Sequence, residues 1–151
     1  MKVLIQRVQR GSVSVEGRTI GAIGRGYVVF LGVKQGDLAV DAHYLAEKTV
    51  ALRIFPDEQL RMNRSIMEIG GSILVISQFT LHADTRQGNR PSCILAAPAE
   101  QAKTLYETYV ASLRHILGET RVATGQFQTQ MVVDISNEGP VTIEIKSRSE
   151  P

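Results

Sequence analysis

Ser77, Gln78 and Thr80 fall within four positions at the exit of an apolar run, "SILVISQFTL". Two hydroxyls and an amide are poor material for a core, because each buried polar group needs a hydrogen-bond partner. They suit a strand end that holds a polar substrate, and a strand end emerging into water would carry them as readily. On an extended strand, alternation puts Ser77 and Phe79 on one face and Gln78 and Thr80 on the other. Downstream, His82 and Asp84 supply the residue types of a Ser/His/Asp triad with Ser77. No G-x-S-x-G elbow surrounds that serine, and the plainer assignment is a surface-loop histidine near an aspartate.

A second candidate lies near the C-terminus, in "NEGPVTIEI". Val141, Ile143 and Ile145 alternate with Thr142, Glu144 and Lys146, which is a strand with one apolar face. Gly139-Pro140 before it reads as a turn. An X-Pro bond can also be cis, and a cis bond sets carbonyl directions that few other local geometries reach. A third candidate is charge. Arg86 and Arg90 share a loop with Gln87, Gly88 and Asn89, and Arg61 and Arg64 flank Asn63. Arginines at this density suit phosphate contact, and solvated surface charge fits the same pattern.

Other chemistries are excluded. No P-loop and no G-x-G-x-x-G is present. His43 and His115 have no second histidine one helical turn away, so no His-pair metal site is expected. Cys93 is the single cysteine; it forms no intrachain disulfide and no Cys-rich zinc site. No cofactor is implied.

The elements that must position these residues are legible from periodicity. The chain has 151 residues, 43% of them hydrophobic, which suits a single domain spanning 1–151. Met1–Val8, Ser12–Glu16 and Thr19–Ile23 alternate as strands. Tyr27–Val33 is continuously apolar, as for a strand covered on both faces. Leu38 to Leu52 shifts to helical period, with Asp37 as N-cap. A short strand at Arg53–Phe55, a strong one at Ser72–Phe79 and a loop from His82 to Ala97 follow. A second helix runs from Pro98 to Gly118. Strands are predicted at Thr120–Gly125, Gln130–Ser136 and Val141–Lys146. The fold class is α+β: a mostly antiparallel sheet or barrel-like core covered by two helices, with an edge that a second subunit can cover. Residues 147–151 read as a flexible tail. The formal net charge of +2 permits a nucleic-acid partner without requiring one. No stretch approaches the roughly 20 apolar residues of a membrane span, and the N-terminal segment has no signal-peptide core. A soluble cytoplasmic protein is the expectation.

Two stretches taken together are specific. "SQFTL" at Ser77–Leu81 and "NEGPVT" at Asn137–Thr142 resemble the two signature motifs of the D-aminoacyl-tRNA deacylases. "GAIGRGYVVFLGV", "LRIFPDE", "MNRSI", "QFTLHADTRQGNRPS", "AAPAEQAKTLYE" and "TGQFQTQMVV" follow the same family's pattern in the same order. The resemblance implies a homodimer that hydrolyses the ester between a D-amino acid and the 3′-terminal adenosine of tRNA. It implies active sites at the subunit interface, with the Gly139-Pro140 turn of one subunit, its bond cis, reaching into the other's pocket as a chirality filter. Ser77, Gln78, Phe79 and Thr80 would line that pocket. Arg7 would brace the Gly-Pro turn, and Met131 would belong to the substrate-binding set. Apart from the resemblance, the loop arginines Arg61, Arg64, Arg86 and Arg90 are the candidates for nucleic-acid contact.

The resemblance further implies RNA-assisted catalysis. The ester is already activated, and backbone N–H groups near Phe79 and Thr80 can stabilise an oxyanion, each donor worth about 10²–10³ in rate. Thr80 has no base beside it in the motif, so it reads as a positioning group rather than a nucleophile. A backbone filter that excludes L side chains by clash would also admit glycyl-tRNA. Three alternatives stay open: a related deacylase with a trans Gly-Pro and relaxed chirality, a non-catalytic RNA-binding β-domain, and a purely structural dimerising domain.

Overall fold

The computed structural model describes residues Met1–Pro151. The strands are β1 (Lys2–Val15), β2 (Arg18–Ile23), β3 (Gly26–Gly32), β4 (Phe55–Pro56), β5 (Met62–Arg64), β6 (Ser72–Ser77), β7 (Val122–Thr124) and β8 (Val132–Lys146). The helices are α1 (Ala39–Ala51) and α2 (Ala99–Leu117). The main sheet runs β2-β1-β3-β6-β7, with β8 on the other side of β1, and β4-β5 forms a separate ribbon. No helix is long and apolar enough to cross a membrane.

β1 organises the sheet. Its first half pairs with β3, its second half with β2, and β8 follows it along both halves, all antiparallel. β3 and β6, and then β6 and β7, pair in parallel. Parallel neighbours need a crossover, and α1 and α2 lie in those two connections. The sheet curls until β2 meets β7: a Cβ on Gly21 would lie 2.9 Å from the Thr124 carbonyl oxygen. The core is therefore barrel-like and mostly antiparallel, with a parallel section where the helices cross.

The apolar run of β3 is buried on both faces, as its composition implies. Tyr27, Val29 and Leu31 pack under the helices with Ile73, Val75, Leu105, Tyr109 and Leu113. Val28 joins Val8, Val13, Leu74 and Ile76 on the opposite side. Between the helices, the Thr49 hydroxyl donates to the Leu45 carbonyl at 2.7 Å and lies 2.8 Å from the Tyr109 hydroxyl.

Four sequence expectations are corrected. β1 is one strand rather than two, and so is β8, because each is the other's ladder over nearly its whole length. β6 ends at Ser77, and Phe79–His82 forms a 3₁₀ turn. β7 begins at Val122 rather than Thr120; a 3₁₀ turn at Glu119–Arg121 precedes it. Asp37 does not cap α1. Leu38 occupies the cap position, and the Asp41 carboxylate accepts its N–H at 2.9 Å. Asp37 instead accepts from the Met1 ammonium at 2.6 Å and the Lys34 N–H at 2.5 Å, a charge-assisted pairing stronger than a cap. The 147–151 segment contributes to that cluster: Ser147 accepts from Met1 at 3.0 Å, and Ser149 donates to Asp41 at 2.6 Å.

Candidate active site

The exit of β6 opens into a cavity of ≈ 580 Å³. Ser77, Gln78 and Phe79 form one side. Phe127, Met131 and Val133, on the approach to β8 and its start, form another. Ala96, Ala97, Ala99 and Ala102, before and within the first turns of α2, form a low wall that leaves room where larger side chains would fill it. The lining contains no acid, base, thiol or phenol.

The local backbone explains the arrangement. The Gln78 N–H donates to the Leu31 carbonyl at 2.8 Å, so the chain leaves the sheet while still attached to β3. It then tightens into the 3₁₀ turn, which places Gln78, Ser77 and Phe79 on the same cavity and leaves Thr80 outside its lining. Strict alternation would have separated Gln78 from its neighbours; the turn removes that alternation. At the start of such a turn, the N–H groups of Phe79 and Thr80 have no acceptor within the turn. The Gln78 amide donates to the Thr80 hydroxyl, and Phe79 is 58% exposed. Behind the cavity, the Tyr106 hydroxyl donates to the Val75 carbonyl at 3.0 Å, and burial pushes its pKa up to about 12. The same ring supports Phe127, with centroids 5.9 Å apart.

His82 is buried rather than on the surface, because it closes the 3₁₀ turn against β3. A Cβ on Gly32 would lie 2.9 Å from Leu81 Cβ and 3.1 Å from the His82 ring, so glycine makes room for this approach. Burial holds the imidazole pKa below its usual value, and a hydrogen bond to the Gly32 backbone partly offsets this. Asp84 is held by Arg86, whose Nε and Nη2 donate to its two oxygens at 2.9 and 2.6 Å; that clamp lowers the carboxylate pKa to about 2. His82 and Asp84 therefore do not assemble a triad with Ser77.

The Gly139-Pro140 segment lies elsewhere. It interrupts no strand; β8 continues through it. Gln6 pairs with Thr142 and Val8 with Asn137, so residues 138–141 bulge opposite Arg7 alone. Arg7 is 8% exposed and ties the start of the bulge to the segment before β4. Its Nη1 donates to the Ile54 carbonyl at 2.5 Å and its Nε to the Glu138 carbonyl at 3.2 Å. The Glu138 carboxylate lies 3.6 Å from Arg7 and 3.7 Å from Arg25. Gly139 has φ +115°, and a Cβ there would come 2.8 Å from Arg7 Nη2, so both torsion and space require glycine. The Gly139-Pro140 bond is cis. Gly139 and Pro140 are exposed. Arg7, Gly139 and Pro140 do not line the cavity of their own chain.

The four arginines also lie outside the cavity lining. Arg64 pairs with Glu58 and Arg86 with Asp84, while Arg61 and Arg90 are exposed. Sequence reasoning missed the alanine wall, Phe127 and Gln128. Their signal was faint: a small-residue cluster, "AAPA", and an aromatic in a polar loop, with Gln128 at φ +55°.

A family model described as D-Tyr-tRNA(Tyr) deacylase matches residues 4–146. The chain belongs to that family. It is 57% identical over 148 residues to a D-aminoacyl-tRNA deacylase of Heliobacterium modesticaldum, covering 98% of this chain and 97% of that one. It is 51% identical over 150 residues to the D-aminoacyl-tRNA deacylase of Koribacter versatilis, covering 99% of each. Among solved structures, one described as c-Myc DNA Unwinding Element Binding Protein superposes with a TM-score of 0.92 at 40% identity, over 97% of this chain and 99% of that chain. A probable eukaryotic D-amino acid tRNA deacylase superposes with a TM-score of 0.81 at 16% identity, over 95% and 98% of the two chains. That last likeness is one of fold. The deacylase family's two signature stretches thus correspond to two separate places in this chain: the cavity mouth and the β8 bulge.

Proposed function

We propose that the protein hydrolyses the ester joining a D-amino acid to the 3′-terminal adenosine of tRNA, in the cytoplasm, as a homodimer. The observation that carries this is the cavity's chemistry: it offers a strand-exit turn with backbone donors and no titratable side chain. Such a site cannot supply general acid–base catalysis from its own lining, but it suits an activated ester whose RNA portion contributes. Water, oriented by the adenosine 2′-hydroxyl, attacks the carbonyl carbon. The N–H groups of Phe79 and Thr80 receive the developing oxyanion. The C–O bond to the 3′-oxygen breaks, that oxygen takes a proton, and the free D-amino acid leaves. Ser77 and Gln78 hold the reacting end in place, and Thr80 keeps Gln78 oriented.

Gly139-Pro140 lies outside the cavity of its own chain, and in the proposed dimer it enters the partner's cavity. Its backbone carbonyls then stand against Cα of the aminoacyl group, leaving room for hydrogen but not for an L side chain. Glycine carries nothing to reject, so glycyl-tRNA is also a substrate. Arg61, Arg64, Arg86 and Arg90 contact phosphates of the acceptor end, and Met131 contributes to the substrate cavity.

Hydrolysis of D-tyrosyl-, L-tyrosyl- and glycyl-tRNA tests this directly. The first and third should be cleaved and the second spared; efficient L-tyrosyl cleavage would sink the filter. A 2′-deoxy terminal adenosine should remove most of the rate. Salt-dependent tRNA binding without ester turnover would point instead to a non-catalytic RNA-binding domain.

A further inference from the structure

Gly125 sits where β7 ends, its N–H donating to the Val75 carbonyl at 3.0 Å. Its φ is not in the left-handed region, so no torsion demands glycine there. Space does. A Cβ at this position would lie 2.6 Å from Met131 Sδ and 3.2 Å from Ile76 Cδ1. Met131 and Ile76 are both walls of the cavity. They do not yield equally. Ile76 is 2% exposed in the middle of the sheet, packed among Val8, Val13, Val28 and Leu74. Met131 is half-buried and unbranched, with three rotatable bonds that let it refill irregular space. A methyl group at 125 would therefore displace the Met131 thioether, and the open side available to it is the cavity.

We infer that Gly125 is a specificity-determining position: by leaving a notch for Met131, it sets how deep a flat apolar group can enter the cavity. This rests on the proposed ester substrate, whose reacting end carries two candidates for such a group, the terminal base and an aromatic D side chain. Gly125 touches neither; it acts through Met131.

The test is steady-state hydrolysis of D-tyrosyl- and glycyl-tRNA by the wild type, Gly125→Ala, Met131→Ala and the double variant, with melting curves for each. One methyl of misfit in an apolar pocket is worth about 10–200-fold. Gly125→Ala should therefore raise KM by about tenfold or more and leave kcat little changed. In the Met131→Ala background the same methyl should have no further effect, since the atom it displaces is gone. An equal KM rise for both esters places the terminal base in the notch; a rise confined to D-tyrosyl-tRNA places the side chain there. A folded Gly125→Ala with unchanged KM overturns the inference, as does a double variant more impaired than Met131→Ala alone. That second comparison decides the matter even where Gly125→Ala alone is poorly folded. Wild-type protein without turnover would instead defeat the proposed activity, which keeps the two failures distinct.

Discussion

The cavity at the exit of β6 and the bulge in β8 carry the family's two signature stretches, yet they are built on opposite principles. The cavity is an absence held open by packing: alanines on one wall, glycines at 32 and 125, and a 3₁₀ turn pinned to β3. The bulge is a projection with little packing. Gly139 and Pro140 are exposed, and one buried guanidinium holds the base through the Glu138 carbonyl while its other end is anchored on the Ile54 carbonyl. A packed wall can yield by a rotamer change at modest cost. A backbone excursion tied to one side chain has no such slack, because Arg7 is itself committed to Ile54. Tolerance to substitution should therefore differ sharply between the two.

The largest effect is expected at the bulge. Gly139→Ala meets both a φ of +115° and a contact of 2.8 Å to Arg7, so the carbonyls on either side must shift. Misplacement of about 1 Å at a reacting centre costs about 10²-fold, and the D-over-L ratio for tyrosyl-tRNA should fall with the rate. A variant that only melts earlier, with stereoselectivity intact, would reduce the bulge to a structural turn.

A smaller loss is expected at the cavity mouth. Thr80→Val removes the hydroxyl that accepts from Gln78 but leaves the backbone N–H in place. A positioning role predicts a loss of about 1.4 kcal/mol in transition-state stabilisation or less, roughly tenfold. Abolished turnover, with trapped acyl-enzyme in the wild type, would make Thr80 the nucleophile instead.

The smallest effect should come from acid. Burial holds the His82 pKa below its value in the unfolded chain, with Lys2 and the N-terminal ammonium acting in the same direction and Glu150 against it. Protonation thus favours the open state. Stability is full above an unfolded-state pKa of about 6.5 and is lost as pH falls from there toward the folded value. Hydrogen exchange at pH 5.5 against pH 7.5 should show faster exchange at Phe79–His82, after correction for intrinsic rates. Residues 137–142 should change little, and His82→Phe should remove the difference. Equal loosening of both regions would mean that they share one cooperative unit.

Much of the fold was legible because local pattern and tertiary role coincide. The helical stripe of α2 ends at Gly118 as its composition implies, and the continuous run of β3 could only be a strand covered on both sides. The signature stretches were equally legible, because a hydroxyl-rich strand exit and a Gly-Pro pair are conspicuous in one dimension. The burial of His82 was not, since it depends on a missing side chain at Gly32, some fifty positions earlier. The alanine wall looked like ordinary loop and helix composition, because an opening has no residue of its own to announce it.

What the amino-acid sequence determined by itself was therefore the periodicities, the excluded chemistries and the two motifs, all properties of neighbours in the chain. Tertiary structure alone decided that β1 and β8 are unbroken, that Gly139-Pro140 bulges opposite Arg7, and that Gly125 makes room for Met131. Each of these is a contact between segments remote in sequence, fixed by sheet register and steric fit rather than by the preference of any residue for its own conformation.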